Sequence, residues 1–134
     1  MTKAEIEAFL DAQGFPQART FAVIEAIRER AIDVTMPFKP FFVRPGGSIS
    51  GPALMTLADT AAYFLVLAAA GPISTVTSSL EIKFLARPAA GDVRATATLL
   101  KHGKRLLVAA VEMRGATGED LVAYATVTYA LPAG

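Results

Sequence analysis

The chain has 134 residues, 53% hydrophobic and 19% charged, with a formal net charge of +1; this excludes a disordered chain and gives no electrostatic case for a nucleic-acid partner. It contains no cysteine, which excludes thiol catalysis, disulfides and cysteine-ligated metal sites. So much apolar residue in a short chain leads us to expect that a second subunit covers part of the core or a sheet edge.

The sequence carries no repeats or low-complexity tracts, and one domain over residues 1–134 is expected, with a short helical extension at about 1–15. Thr2 to Gln13 reads as an amphipathic helix capped by Thr2, with Ile6, Phe9 and Leu10 on one face and Gly14 and Pro16 ending it. This segment lacks the apolar run of a signal peptide, so a cytoplasmic location is expected. Phe21 to Arg30 suits a helix or a strand, with Val23, Ile24 and Ile27 favouring strand. Ala31 to Phe38 alternates cleanly, Ile32, Val34, Met36 and Phe38 opposing Asp33 and Thr35. Pro40, Pro45, Gly46 and Gly47 predict an irregular loop.

Gly51 to Ala70 predicts one long helix, with Ser50 as N-cap, Pro52 in the first turn and Gly71-Pro72 as the stop. Four stretches of strand texture follow: SLEIKFLA, DVRATATLL, RLLVAAVEM and LVAYATVTYA. Short connections at Arg87-Pro88, Ala90-Gly91-Asp92, His102-Gly103 and Gly115 to Gly118 suggest hairpins. A long helix apolar all round, set among such strands, predicts an α+β architecture with an antiparallel sheet wrapped around the helix.

Between Pro45 and Leu80, 36 residues, Asp59 is the only charged side chain. A membrane span is disfavoured, because about 20 apolar residues are needed and a central Asp costs about 2.5–3.5 kcal/mol. A buried structural Asp held by hydroxyl or backbone donors, or an Asp at a subunit interface, remains open beside a catalytic one. Asp59 stands two turns beyond Gly51, too deep to cap its own helix. Upstream, GGSISGP offers free backbone N–H groups at the positive end of the helix dipole, suited to a phosphate or a polarised carbonyl oxygen. An oxyanion site beside a base would suit acyl transfer.

The segments SGPALMTLADTAAYFLV and SSLEIKFLARPAAGDVRATATLLKHGKR together resemble the hotdog-fold acyl-CoA thioesterases of the phenylacetate-pathway type, over about Arg30 to Leu131. The resemblance implies a hotdog fold, an antiparallel five- or six-stranded sheet around the long helix, in a homodimer or homotetramer with the site at the subunit interface. It implies that Asp59 is the catalytic carboxylate, acting as nucleophile or as general base on water. It also implies that the Gly51 N–H polarises the thioester carbonyl, and that Thr77 or Ser78 supplies a hydroxyl that positions the water across the dimer interface. Ser50 and Arg44 stand where the family has a His and an Asn or Gln, and Pro52 replaces its second glycine. The implied substrate is an acyl-CoA, with no cofactor beyond the coenzyme A it carries and no metal, nucleic-acid or membrane partner.

His102, the single histidine, reads as a turn residue rather than part of a triad. The basic group Lys101, Lys104 and Arg105, with Arg87, is a solvated loop by default and a phosphate-holding cluster by resemblance. Of the apolar helix residues, Met55 and Tyr63 are candidates to line an acyl or aryl pocket. Two further functions compete with hydrolysis: an acyl-CoA-binding protein with weak or lost turnover, and a hydratase or dehydratase. The second ranks last because it usually needs a histidine on the Asp59 helix, which is absent.

Overall fold

In the computed structural model, which describes residues 1–13 and 15–133, Thr2 opens the first helix as expected. Its side chain accepts from the Glu5 N–H while Glu5 reaches back to the Thr2 N–H, a capping box over α1 (Lys3–Ala12). Ile6 and Leu10 are buried one turn apart on the same face. The stop expected at Gly14 lies outside the described residues. A four-residue helix, α2 (Ala18–Phe21), precedes β1 (Val23–Arg28), which is a strand as the Val and Ile content favoured. Strand β2 (Ala31–Met36) buries Ile32, Val34 and Met36 and turns Asp33 and Thr35 towards the other face. Arg30, at φ 62°, makes the tight turn between β1 and β2.

The expected loop contains a single 3-10 turn, Pro40–Phe42, and then leads to α3 (Gly51–Ala70). Ser50 caps α3 by accepting from the Ala53 N–H at 3.2 Å, and Pro52 sits in the first turn where a missing N–H is harmless. The remaining strands are β3 (Val76–Phe84), β4 (Val93–His102), β5 (Leu106–Gly115) and β6 (Leu121–Ala130). Together they form one six-stranded sheet in the order β1-β2-β4-β5-β6-β3, with every neighbouring pair antiparallel.

Helix α3 lies across the inner face of this sheet, against β2, β4, β5 and β6. By length and composition it could cross a membrane, but the sheet buries most of its apolar surface. Small side chains on both sides let helix and sheet approach closely: Ala58, Ala61 and Ala62 on α3 face a sheet whose buried residues include Ala95, Ala97, Ala109, Ala123 and Ala125. Val93, Ala95, Ala97 and Leu99 point inward from β4 as their alternation required.

Two connections differ from expectation. The residues between β3 and β4 do not form a hairpin: β3 pairs only with β6, so the chain crosses past β6 and β5 before β4 begins. Both edges of β4 are already occupied, by β2 and β5. The hairpin expected at His102-Gly103 also closes later. His102 still pairs with Leu107, the Gly103 N–H bonds the Leu106 carbonyl, and the turn itself is Lys104-Arg105. A bulge between Leu99 and Lys101 shifts the register of this ladder by one residue.

Candidate active site

Asp59 is half-buried on the face of α3 that carries Met55, Thr56 and Tyr63, one turn to either side of it, with Thr60 adjacent. Two adjoining cavities, about 310 and 380 Å³, meet at its carboxylate. The first is closed by Tyr63, Thr75, Val76 and Tyr129, the second by Phe21, Met55, Thr56 and Leu80. Phe15, Ala18, Asp59, Thr60 and Thr77 border both. The N-terminal segment therefore forms one wall of the site.

Two hydroxyls converge on a single carboxylate oxygen. Thr77 Oγ1 donates to Asp59 Oδ1 at 2.7 Å. The Tyr129 hydroxyl donates to the same Oδ1 at 2.7 Å and lies 3.1 Å from the Asp59 main-chain carbonyl. Such short bonds to a charged acceptor are the stronger class of hydrogen bond. The Tyr129 ring stacks on Tyr63, with centroids 6.1 Å apart and planes 24° apart, and Tyr63 in turn meets Phe15 at 6.0 Å. Burial pushes the Tyr129 phenol far above the ordinary tyrosine range; the Thr77 hydroxyl pulls the other way and the Asp59 carboxylate adds to the rise. Burial raises Tyr63 as well. Tyr129 is thus a donor, not a base.

A β-bulge selects Thr77 over Ser78. Thr77 pairs with Tyr129 but Ser79 pairs with Thr128, so Ser78 is the extra residue. Leu80 and Ile82 pack inward against the core, and strict alternation would have sent Ser78 inward with them. The bulge reverses the phase and aims Thr77 at Asp59 instead. Ser78 is exposed and lines neither cavity. Within the chain, the hydroxyl that meets Asp59 is that of Thr77.

Gly51, Ser48, Arg44 and Arg87 border a different cavity of about 390 Å³ at the N-terminus of α3, together with Leu54 and Phe84. The loop before the helix is stitched down: the Gly47 N–H bonds Arg44 O, Ile49 bonds Pro88 O and Ser50 bonds Phe42 O. Gly46 and Gly47 adopt φ values of 102° and 89°, which favour glycine. Of the six backbone N–H groups in GGSISGP, these bonds use three, those of Gly47, Ile49 and Ser50. Among the described residues, no acceptor meets the Gly51 N–H at the positive end of the helix dipole. The Ser50 oxygen serves as helix cap.

The basic group is split by the topology. Arg87 follows the end of β3 and lies near Gly51, whereas Lys101, Lys104 and Arg105 lie at the far end of β4, nine residues or about 30 Å from Val93. Lys104 and Arg105 line none of the three cavities just described. His102 ends β4 in the row His102, Leu107, Tyr129 and Thr77, with two strands between it and Thr77.

Tyr129 is the site residue that sequence reasoning missed. Its signal was present: it shares the inward face of β6 with Ala125 and Val127, and a hydroxyl in such a row must find a partner.

Comparison with known proteins bears on the family and the fold. A family model described as the thioesterase superfamily matches residues 46–122. A Saccharolobus solfataricus protein named for esterase activity is 28% identical over 117 residues, covering 87% of this chain and 83% of that one. The crystal structure of a Silicibacter protein named as a thioesterase superposes with a TM-score of 0.88 at 34% identity, over 98% of this chain and 92% of the other. A Ralstonia eutropha protein, named as a thioesterase related to phenylacetic acid degradation, has a TM-score of 0.79 at 25% identity, over 91% and 97% of the two chains.

Proposed function

The chain belongs to the thioesterase superfamily and has its hotdog fold, and on that premise we propose that it hydrolyses acyl-CoA thioesters to a free acid and coenzyme A. The observation that carries this reading is the state of Asp59: one oxygen is held by two hydroxyls and the carboxylate borders two largely apolar cavities. In the first route, Asp59 takes a proton from water as the water oxygen attacks the thioester carbonyl. The C–S bond then breaks and the thiolate leaves with a proton. In the second, Asp59 itself attacks the carbonyl, the C–S bond breaks and the coenzyme A thiolate leaves, and water then cleaves the mixed anhydride to release the acid and restore the Asp59 carboxylate. Both routes need a developing oxyanion stabilised, and the Gly51 N–H is the donor proposed for it.

Gly51 and Asp59 cannot serve the same carbonyl within one chain, because eight residues of α-helix separate them by about 12 Å. Gly51 of one protomer is therefore proposed to act with Asp59 of a second copy, in a homodimer or a larger homo-oligomer. Strand β3 supports this: it is a sheet edge, exposed along most of its length, with Val76 66% and Phe84 52% exposed. Arg44 and Arg87 are proposed to meet the polar part of the substrate beside Gly51, and Met55 and Tyr63 the acyl group beside Asp59. A cytoplasmic location belongs to the same proposal.

The test is a hydrolysis screen with short, long and aryl CoA thioesters, run beside Asp59→Asn. The variant keeps an acceptor for Thr77 and Tyr129, so the fold is expected to persist while kcat falls about 10²–10⁴-fold. Equal hydrolysis by native chain and variant overturns the assignment. One observation favours a second reading, an acyl-CoA-binding protein without efficient turnover: the site lacks the family's histidine, and Ser50 is engaged as a helix cap. Tight binding of a CoA ester with negligible turnover across the screen would select it.

A further inference from the structure

We infer that Tyr129 is a positioning residue for Asp59: its hydroxyl pins Oδ1 against the helix and leaves Oδ2 as the oxygen that reacts. This deepens the thioesterase reading and rests on it. The Tyr129 hydroxyl sits between Oδ1, at 2.7 Å, and the main-chain carbonyl of the same Asp59, at 3.1 Å. It thereby fixes the carboxylate relative to its own backbone, selecting one side-chain rotamer where a free Asp would sample several. Both donors, Thr77 and Tyr129, fall on Oδ1; among the described residues none donates to Oδ2.

The two donors are not equivalent. Thr77 sits beside a register break on the edge strand β3, with the bulge residue Ser78 next to it. Tyr129 is 4% exposed, comes from β6 between β5 and β3, and has its ring stacked on Tyr63. Water cannot readily replace a donor held there, and the tyrosine is too immobile to follow a carboxylate that drifts. Burial and the adjacent carboxylate also keep the phenol protonated at neutral pH. In either chemical route Oδ2 must meet a proton or a carbonyl carbon at bonding distance, and a displacement of 1 Å can cost about 10²-fold in rate.

The experiment compares Tyr129→Phe with Asp59→Asn on the CoA thioester that the native chain hydrolyses fastest. Tyr129→Phe keeps the ring and its stack and deletes only the donor. It is expected to lower kcat about 10- to 100-fold with KM within about twofold of native. Native hydrolysis by Asp59→Asn strikes down the thioesterase reading. Loss of hydrolysis in Asp59→Asn with native kcat in Tyr129→Phe strikes down the positioning role alone. p-Aminophenylalanine at position 129 restores a donor at the same point of the ring and is expected to recover kcat to within about threefold of native; a rate as low as that of Tyr129→Phe overturns the inference. This variant also reads the role where Tyr129→Phe is too unstable to assay. Crystal structures of the native chain and Tyr129→Phe test the role without turnover: a displaced or multiple Asp59 rotamer is expected in the variant, and an unchanged one overturns the proposal.

Discussion

Replacing Gly51 by alanine tests whether the thioester carbonyl sits at the N-terminus of α3. A β-carbon at position 51 would lie 3.3 Å from Phe84 Cζ and 3.5 Å from Cε1. That is tight, but the neighbour is the far edge of a ring that is 52% exposed and can yield by a few tenths of an ångström. Gly51 does not have positive φ, so alanine fits the backbone, and Gly→Ala at a compatible position gains about 0.4–1 kcal/mol. Contact strain and backbone gain nearly cancel, and the net change in stability is expected to stay within about 1 kcal/mol. The N–H itself survives the substitution, but the methyl and the displaced ring enter the 390 Å³ cavity where the carbonyl is proposed to lie.

Loss of an oxyanion donor costs about 10²–10³ in kcat, and crowding that weakens rather than deletes it should cost about 10- to 100-fold. The assay is steady-state hydrolysis alongside a urea melt, with Gly51→Ala/Phe84→Ala as the relief variant. Removing the ring frees the space, so the double variant is expected to recover much of the lost kcat. Native kcat/KM in Gly51→Ala refutes the placement of the carbonyl. A stability loss above about 3 kcal/mol would instead show that position 51 is packed like core, and the rate would then say nothing specific about the oxyanion.

Two further outcomes follow from the Asp59 network. Thr77→Val removes the second donor to Oδ1 while keeping the β-branched shape, and kcat is expected to fall about three- to tenfold, a modest loss because Tyr129 still holds Oδ1; Thr77→Ser should stay near native, and equal kinetics for all three would refute a role for the hydroxyl. Stability should also decline at high pH. The folded Tyr129 ionises at higher pH than the unfolded tyrosine, which titrates near 10. Its contribution is whole below about pH 10 and is lost as pH rises, with a limiting slope of about 1.4 kcal/mol per pH unit. Urea midpoints between about pH 9 and 11 should therefore fall less steeply for Tyr129→Phe than for the native chain, and identical slopes would refute the link to Tyr129.

Much of the fold was legible because it depends on local chemistry. Thr2 and Glu5, Ser50 and Pro52, and Gly71 bound their helices by satisfying or stopping the backbone groups beside them. Alternation in β2 and β4 named the inward residues directly, and the isolation of Asp59 in an apolar run singled it out as a candidate site residue. Strand order was not legible. Whether β3 pairs with β4 or β6 depends on which edges are already taken, and no residue in β3 states that.

The site divides along the same line. Sequence alone determined that a carboxylate, a glycine at a helix start and a nearby hydroxyl exist, because residue type and helical spacing are properties of the chain itself. Only the tertiary structure decided which hydroxyls reach Asp59. The bulge at Ser78 turned Thr77 inward, and the pairing of β6 between β5 and β3 brought Tyr129, 70 residues away, to the same oxygen. It also separated the basic residues that seemed to form one group, sending Arg87 to the Gly51 end and Lys104 and Arg105 to the other. Register and strand direction are set by the burial of whole faces, so no short stretch of residues encodes them.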